Sequence, residues 1–193
     1  MYNSLQMYNV IAITGFKRAG KDIVSEYISK KYGYTHVKVA SKLKSIIKLA
    51  FDLNDEDVES FKKDLVNDRL GVSPRRLMDF IGTQVFQHEL NEIMPHIGRK
   101  YWIQDLLHKH SQPNQSIVIS DLRFHHELEE LKKKDSCLIL RVQRDACIES
   151  KELVSEQEIS DLKVDYELDN NGSIEELYSQ IDSILTERNC CVS

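Results

Sequence analysis

The chain has 193 residues and a net charge of −5, with 41% hydrophobic and 30% charged residues. This length favours one domain that can bury a sizeable core, and the composition is that of a globular protein. The acidic balance argues against a dedicated nucleic-acid binder, and no apolar run approaches the roughly 20 residues that span a bilayer. The polar, uncharged start is unlike a signal peptide, so we expect an intracellular protein.

The four cysteines predict no metal site. Cys137, Cys147, Cys190 and Cys191 form no CxxC pair and have no histidine at metal-ligand spacing, so we expect free thiols in a reducing compartment. The final CCVS fits the C-a-a-X prenylation pattern, but no polybasic run precedes it to supply a second membrane signal. We therefore interpret the tail as an ordinary polar terminus and expect no membrane association.

In chain order, the first third predicts a strand, a helix, a strand and two helices. The first strand is an apolar run typical of a buried parallel strand, and the helix after it has Gly33 as its C-cap. Of the two later helices, the first is amphipathic, and the second has an acidic first turn. These segments are YNVIAIT (8–14), KDIVSEYISKKYG (21–33), THVKVA (35–40), SKLKSIIKLAFDL (41–53) and NDEDVESFKKDLV (54–66).

The remainder predicts two further helices and then a renewed alternation of strands and helices. Ser73 and Pro74 are typical of a helix start, and Ser173 with Glu176 predicts a capping box. The helices are SPRRLMDFIGTQVFQHEL (73–90), GRKYWIQDLLHKHSQ (98–112), HHELEELKKKD (125–135) and SIEELYSQIDSIL (173–185), and the strands are SIVIS (116–120), CLILRV (137–142) and DYELD (165–169).

The alternation of strands and helices predicts an α/β fold with a central, mostly parallel sheet flanked by helices. The helical segment from about residue 41 to 112 is too long for a simple crossover connection. We expect it to form a subdomain at the carboxyl edge of the sheet, where ligands bind in folds of this type.

The segment AITGFKRAGKDIV predicts a phosphate-binding loop. Gly15, Gly20 and Lys21 fit G-x-x-x-x-G-K between a predicted strand and a predicted helix. In such a loop, backbone N–H groups converge on phosphate oxygens and the helix N-terminus adds positive potential. Lys21 is expected to reach the β- and γ-phosphates of ATP.

Asp22 occupies the position where the pattern asks for Ser or Thr. A carboxylate is also a hard oxygen ligand for Mg²⁺, directly or through water, and Lys17 and Arg18 are candidates to offset its charge. Asp121 closes the apolar strand SIVIS, as in a Walker B segment, and is expected beside the loop to serve Mg²⁺ or the phosphoryl acceptor. The alternatives are an acid that complements the helix dipole for Asp22 and a helix cap for Asp121.

Basic side chains predict the remaining phosphate contacts. Lys44 and the Arg75–Arg76 pair near a helix start suit a grip on a monophosphate, although each alone is typical of a solvated helix charge. Arg123 is expected at the same crevice as Asp121.

Two further arginines and two aromatic residues leave alternatives open. Arg141 and Arg144 leave a strand toward the same edge, and one of them is expected to stabilise the transferred phosphoryl charge. Trp102 and Phe80 suit stacking on a base, but their helical spacing is more typical of core residues.

The chain resembles a known family. The segments GFKRAGKD, VASKLKSIIKLAF, SPRRLMDFIGTQVFQHEL, ISDLRFHHELEEL and DNNGSIEEL occur in the order seen in deoxynucleoside monophosphate (dNMP) kinases of phages and large DNA viruses. The resemblance covers about residues 10–185. It implies a three-layer P-loop NTPase fold with a helical acceptor-binding insert and a lid at about 144–162. The reaction implied is ATP + dNMP → ADP + dNDP, with Mg²⁺, in the host cytoplasm if the protein is viral.

The resemblance also implies roles for individual residues. Lys21, Asp121 and Arg144 are the expected catalytic residues, and Asp22 and Asp121 the expected metal ligands. The acceptor dNMP is expected to contact Lys44, Arg75, Arg76, Gly82, Thr83, Trp102, Arg123 and Glu156. ATP is expected to contact Gly15, Phe16, Lys17, Arg18, Ala19, Gly20, Lys21, Asp22, Ile23, Asn170, Asn171 and Gly172.

The sequence departs from the family at one point, and it leaves alternatives. The family often has an arginine a few residues after the equivalent of Gly82-Thr83, whereas this chain has none before Arg99.

The GKD loop also occurs in animal-type phosphomevalonate kinase, so that enzyme, a dephospho-coenzyme A kinase and a nucleotide-binding regulator without turnover are the alternatives. The expected partners are small nucleotides, not nucleic acid, and the family likeness suggests a homodimer.

Overall fold

The computed structural model describes residues 8–112, 115–134, 136–150 and 154–187. Its strands are β1 (Val10–Thr14), β2 (Thr35–Val37), β3 (Ile117–Ile119), β4 (Cys137–Gln143) and β5 (Tyr166–Asp169). Its α-helices are α1 (Lys21–Tyr32), α2 (Ser41–Phe51), α3 (Asp55–Glu59), α4 (Pro74–Asp79), α5 (Leu90–Ile93), α6 (Tyr101–Lys109), α7 (His125–Lys132), α8 (Val154–Asp161) and α9 (Ile174–Glu187).

The strands form a parallel five-stranded sheet in the order β2-β3-β1-β4-β5. Because β1 lies between β3 and β4, the segments that follow these three strands emerge side by side at the carboxyl edge of the sheet. The register pairs Ala12 of β1 with Ile119 of β3 and Ile139 of β4. The α/β fold with a parallel sheet is confirmed, and the topology places the glycine loop next to the ends of β3 and β4.

Burial on both faces explains why the central strands read as continuous apolar runs. All five residues of β1 are buried, as expected for a parallel strand with both faces covered. One face packs against α1 and α9 through Val24, Ile28, Leu177 and Ile181. The helix pair is also tied by a stack of Tyr27 on Tyr178, with ring centroids 3.8 Å apart.

Val39–His108 forms a compact unit of its own, distinct from the unit that contains the sheet. Its core is built on Ile47, Leu53 and Val58. Between α4 and α5 the chain continues as a π-helix, Phe80–Glu89. The carbonyl of Gly82 in this segment accepts a hydrogen bond from Trp102 Nε1 at 3.0 Å.

Most element boundaries follow the sequence signals. Gly33 ends α1 in the left-handed region, with φ of 75°. Ser73 caps α4 by accepting from the N–H of Arg76, and Ser173 and Glu176 form the expected capping box, with bonds of 2.8 and 3.2 Å.

Two expectations about helices and strands are wrong, and two short helices were not predicted. Residues 54–66 form two short helices because Ser60 is extended, and its hydroxyl caps a 3₁₀-helix, Phe61–Asp64. β2 ends at Val37 rather than at residue 40. The sequence also gave no sign of α8, Val154–Asp161, or of the 3₁₀-helix before it, Asp145–Ser150.

Candidate active site

The loop between β1 and α1 has a conformation that only glycine accommodates at two points. Gly15 has φ of 144°, and a Cβ there would lie 2.5 Å from the carbonyl oxygen of Val142. Gly20 has φ of 107°, and a Cβ there would lie 2.4 Å from Nδ2 of Asn170. Both glycines of the predicted motif are therefore required by backbone conformation and by close approach.

Lys21 binds the loop itself. Its Nζ donates to the carbonyl oxygens of Gly15 at 2.8 Å and Phe16 at 2.7 Å. Because a trans peptide unit is planar, its N–H points opposite to its carbonyl. Turning these carbonyls toward Lys21 therefore turns the N–H groups of Phe16 and Lys17 the other way. The loop thus presents N–H groups at the N-terminus of α1, an arrangement that suits an anion.

Asn170 reaches the same loop from the segment after β5. Its Nδ2 donates to the carbonyl oxygen of Ala19 at 2.7 Å, while its own N–H donates to the carbonyl of Gln143 at 2.9 Å. Ala19 is fully buried. The sequence led us to expect Asn170 at the donor nucleotide, and the structure places its side-chain amide on the backbone of the loop.

Asp22 is paired with a residue that the sequence did not single out. Its Oδ1 lies 2.7 Å from Nζ of Lys38, which follows β2. Burial alone would raise the pKa of Asp22, but the hydrogen bond and charge of Lys38, with smaller contributions from His36 and Ser120, lower it below its usual value. Asp22 is thus a carboxylate at neutral pH, and Lys38, rather than Lys17 or Arg18, compensates its charge.

Ser120 links Asp22 to a histidine. The Ser120 hydroxyl hydrogen-bonds Asp22 and lies 2.8 Å from Nε2 of His36. Burial and the charge of Lys38 lower the pKa of His36 against the opposing charges of Asp22, Asp121 and Glu26. Because both aspartates act on this imidazole, the two expected metal ligands lie in one neighbourhood at the ends of β2 and β3.

The loop after β3, which carries Asp121 and Arg123, is fixed by a buried carboxyl group. Glu127 Oε2 accepts from the N–H of Arg123 at 2.9 Å and of Phe124 at 3.1 Å. Burial raises the pKa of Glu127 to about 7, helped by the charge of Asp121, while these two hydrogen bonds and Arg123 oppose the rise. The carboxyl group that caps α7 is therefore that of Glu127, which sequence reasoning missed. Its spacing from Phe124 was the available signal.

Arg141 in β4 and Arg144 just after it differ in their surroundings. Arg141 bonds Glu167 Oε1 at 2.8 Å and donates to carbonyl groups at the end of α8, including that of Ile159 at 3.2 Å. It therefore joins β4, β5 and α8. Arg144, one residue past the end of β4, has an exposed side chain.

The unit Val39–His108 contains a cluster of three cations and two carboxylates, which we call the basic cluster: Lys44, Lys63, Arg75, Glu59 and Asp64. Lys44 pairs with Glu59, and Arg75 pairs with Asp64. Burial and the charges of Arg75 and Lys44 lower the pKa of Lys63, which places all three cations near one another. Lys63 was not predicted, because a lysine in a charged helix carries no distinguishing sequence signal.

The other residues of this unit that were expected to contact the acceptor nucleotide differ in how exposed their side chains are. Arg76 is exposed on α4, and Thr83 is half-buried in the π-helix. Trp102 is buried, with the ring of Phe86 centred 4.3 Å from its own. Its ring therefore packs in the core and holds Gly82 through Nε1, whereas Phe80 is 58% exposed.

Some expectations lie outside the described part of the chain. Glu156 is on α8, but its side chain is not among those described. The same holds for the C-terminal CCVS, whereas Cys137 and Cys147 form no disulfide bond within the described part of the chain. Among the helices of the described residues, none combines the length and hydropathy that a membrane span requires.

The glycine loop, the parallel sheet and the acid after the neighbouring strand define a P-loop fold. A family model described as deoxynucleotide monophosphate kinase matches residues 9–70 and 56–181. The chain belongs to this family. It is also 32% identical over 185 residues to a protein of Acanthamoeba polyphaga mimivirus named "Putative deoxynucleotide monophosphate kinase", covering 90% of this chain and 94% of the viral one.

Solved kinase structures share the fold at low sequence identity. Shikimate kinase from Aquifex aeolicus aligns with a TM-score of 0.52 and 16% identity over 95% of this chain and 99% of its own. A gluconokinase from Sinorhizobium meliloti aligns with a TM-score of 0.51 and 10% identity over 97% and 99%, respectively. At these identities the likeness concerns the fold alone, and the family match carries the assignment to deoxynucleotide kinases.

Proposed function

We propose that this chain is a nucleoside monophosphate kinase that transfers the γ-phosphoryl group of ATP to a dNMP. The observation that carries the proposal is the glycine loop, in which Lys21 and Asn170 hold carbonyl groups so that N–H groups face the opposite side. The family match supports the choice of substrate.

On the donor side, the backbone N–H groups of residues 16–21 bind the phosphates of ATP. Lys21 exchanges its bonds to the Gly15 and Phe16 carbonyls for oxygens of the β- and γ-phosphates. Little covalent chemistry is required of the protein, because positioning and electrostatic stabilisation supply most of the acceleration in phosphoryl transfer.

Two carboxylates, Asp22 in the first turn of α1 and Asp121 after β3, fit Mg²⁺ bound together with a nucleotide. No group of three or more metal-binding side chains gathers within the described ranges, and Mg²⁺ commonly uses one or two carboxylates together with phosphate oxygens. Asp22 and Asp121 would hold the ion, directly or through water. Bound there, Mg²⁺ would neutralise charge on the phosphates. Lys38 and Ser120 orient the Asp22 carboxylate.

On the acceptor side, the basic cluster binds the monophosphate. Lys44 and Arg75 are already held by Glu59 and Asp64, so the acceptor phosphate replaces one anionic partner with another. The forked guanidinium of Arg75 suits two oxygens of one phosphate. Arg76, Gly82 and Thr83 complete this part of the proposed site, with Trp102 supporting Gly82 from the core.

Arg144 stabilises the charge of the transferred group. Its exposed side chain follows the strand next to β1, whereas Arg141 is engaged by β5 and α8. An arginine in such a position is worth several orders of magnitude in rate in related phosphoryl transfers.

A coupled assay that measures ADP formation with ATP, Mg²⁺ and each dNMP in turn tests the proposal. We expect turnover with at least one dNMP and little ATP hydrolysis without an acceptor. Turnover with phosphomevalonate or dephospho-coenzyme A, and none with any dNMP, would contradict the acceptor. Nucleotide binding with no turnover for any acceptor would favour a regulatory protein.

A further inference from the structure

We infer that Asn170 is a positioning residue that sets the geometry of the phosphate-binding loop, and that it does not read the base of the donor nucleotide. This inference rests on the proposed function, since it assumes that the loop binds phosphate. It differs from the expectation drawn from the family resemblance, which counts Asn170 among the residues that contact ATP.

The first argument is the hydrogen bond itself. The amide nitrogen of Asn170 lies 2.7 Å from the carbonyl oxygen of Ala19, although the two residues are 151 positions apart in the chain. An asparagine amide has two donor hydrogens on Nδ2, and this bond uses one of them on the loop.

The second argument concerns the direction of one N–H group. The carbonyl of Ala19 and the N–H of Gly20 belong to the same planar trans peptide unit, so they point in opposite directions. Holding the carbonyl toward Asn170 therefore holds the Gly20 N–H away from it. Lys21 acts in the same way on the carbonyls of Gly15 and Phe16. Asn170 thus completes a set of contacts that orient the loop.

The third argument is the rigidity of the support. The N–H of Asn170 donates to the carbonyl of Gln143 at 2.9 Å, so the asparagine is tied to the end of β4 as well as to β5. Ala19, on the other side of the contact, has no exposed surface. A Cβ on Gly20 would lie 2.4 Å from Asn170 Nδ2, so the side chain packs directly against the loop.

The test compares the affinity of nucleoside triphosphates, which carry a base, with that of inorganic tripolyphosphate, which carries none. Isothermal titration measures the Kd of ATP, of GTP and of inorganic tripolyphosphate for the wild-type chain and for Asn170→Ala. If Asn170 positions the loop, the variant should bind ATP and tripolyphosphate more weakly by the same factor, about two- to tenfold, as loss of one hydrogen bond implies. The ratio of the ATP and GTP affinities should not change.

A matched control is available on α9, at a side chain that hydrogen-bonds to the end of β5. Gln180 also uses its side-chain amide on backbone, donating to the carbonyl of Asp169 and accepting from its N–H, both at 2.9 Å. It does not touch the loop. Gln180→Ala should lower the melting temperature without changing the Kd of tripolyphosphate, which separates positioning from general stability.

If the alanine variant does not fold, Asn170→Asp is used for the same measurement. It keeps the shape of the side chain but replaces the donor with a carboxylate facing a carbonyl oxygen, so binding of both ligands should be at least as weak as in Asn170→Ala. A loss confined to ATP, with a changed ratio of ATP to GTP affinity, would overturn the inference in favour of base contact. Wild-type affinity for tripolyphosphate in both variants would also overturn it. A wild-type chain that binds neither ATP nor tripolyphosphate would instead refute the proposed function.

Discussion

The lysine of the glycine loop and the cations of the basic cluster, which lie in different compact units, are held in different ways. In the unit that contains the sheet, Lys21 is bound by backbone carbonyls of the loop that it serves. In the unit Val39–His108, Lys44 and Arg75 are bound by the carboxylates of Glu59 and Asp64. The loop lysine is thus held by backbone oxygens, whereas these two cations of the basic cluster are held by acidic side chains.

This difference teaches how each unit would discriminate among ligands. A loop made of backbone groups responds to phosphate in general, because every residue offers the same N–H. A cluster of ion pairs discriminates more, because a ligand must compete with each carboxylate and must match its geometry. We therefore expect donor binding to tolerate change in side chains other than Lys21 and Asn170, and acceptor binding to be sensitive to single substitutions.

The largest expected effect comes from replacing Lys21, whose Nζ is bound by backbone carbonyl groups. Lys21→Met should lower kcat/KM by about a thousandfold or more, close to 4 kcal/mol, because a charge that stabilises the transition state is lost. The coupled assay measures this. The control is Lys30→Met, which removes a charge that is 79% exposed from the same helix and should leave kcat/KM unchanged. A fall below tenfold for Lys21→Met would mean that the loop works without its lysine.

The second largest effect is expected on stability, at Glu127, whose carboxyl group accepts hydrogen bonds from two backbone N–H groups. Glu127 has a pKa of about 7 in the folded chain against 4.5 ordinarily, so the folded state favours the protonated form. The stability that this provides is complete below pH 4.5 and is lost as the pH rises through 7. Relative to Glu127→Gln, which cannot titrate, the free energy of unfolding of the wild type should fall by up to about 3 kcal/mol over that range.

Urea denaturation at several pH values measures this difference between Glu127→Gln and the wild type. Glu129→Gln changes an exposed residue of the same helix and should show no such trend. A difference between the wild type and Glu127→Gln that did not vary with pH would contradict a titrating buried carboxyl group.

An intermediate effect is expected in the basic cluster. Arg75→Met should raise the KM for the dNMP by about ten- to fiftyfold, because a two-point contact to phosphate is lost. The KM for ATP should stay within about twofold of the wild-type value. Lys62→Met, which removes an exposed cation paired with Glu56 in the same unit, is the control. Equal changes in both KM values would show that the two units do not divide the substrates as proposed.

The smallest effect is expected at Asp22. Asp22→Asn should raise the Mg²⁺ concentration for half-maximal activity by about fivefold, because a neutral amide is a weaker ligand than a carboxylate. Titration of activity with Mg²⁺ at saturating ATP measures it. Glu26→Gln, an exposed carboxylate on the same helix, serves as the control. An unchanged Mg²⁺ requirement would assign Asp22 to pairing with Lys38 alone.

Local signals predicted local structure well. The P-loop glycines, the cap at Ser73 and the αL residue Gly33 were readable because each depends on a few neighbouring residues. The break at Ser60 is also local, but it was missed because the acidic and apolar residues around it continue a helical pattern.

Contacts across the fold were not readable from the chain. The pairing of Lys38 with Asp22 depends on β3 lying between β1 and β2, which places the end of β2 near the loop. The contact of Asn170 with Ala19 joins residues 151 positions apart. The sequence predicted which residues belong to the site but not which of them contact backbone, because that depends on strand order and on close packing.

The indole of Trp102 has a practical consequence. It is the one tryptophan of the whole chain, and it lies in the unit Val39–His108, buried and bonded to Gly82. Light absorbed only by tryptophan would therefore excite this unit selectively. The emission would report on the environment of Gly82 and Thr83 without contribution from the sheet, so the natural chain carries a spectroscopic label for the proposed acceptor unit.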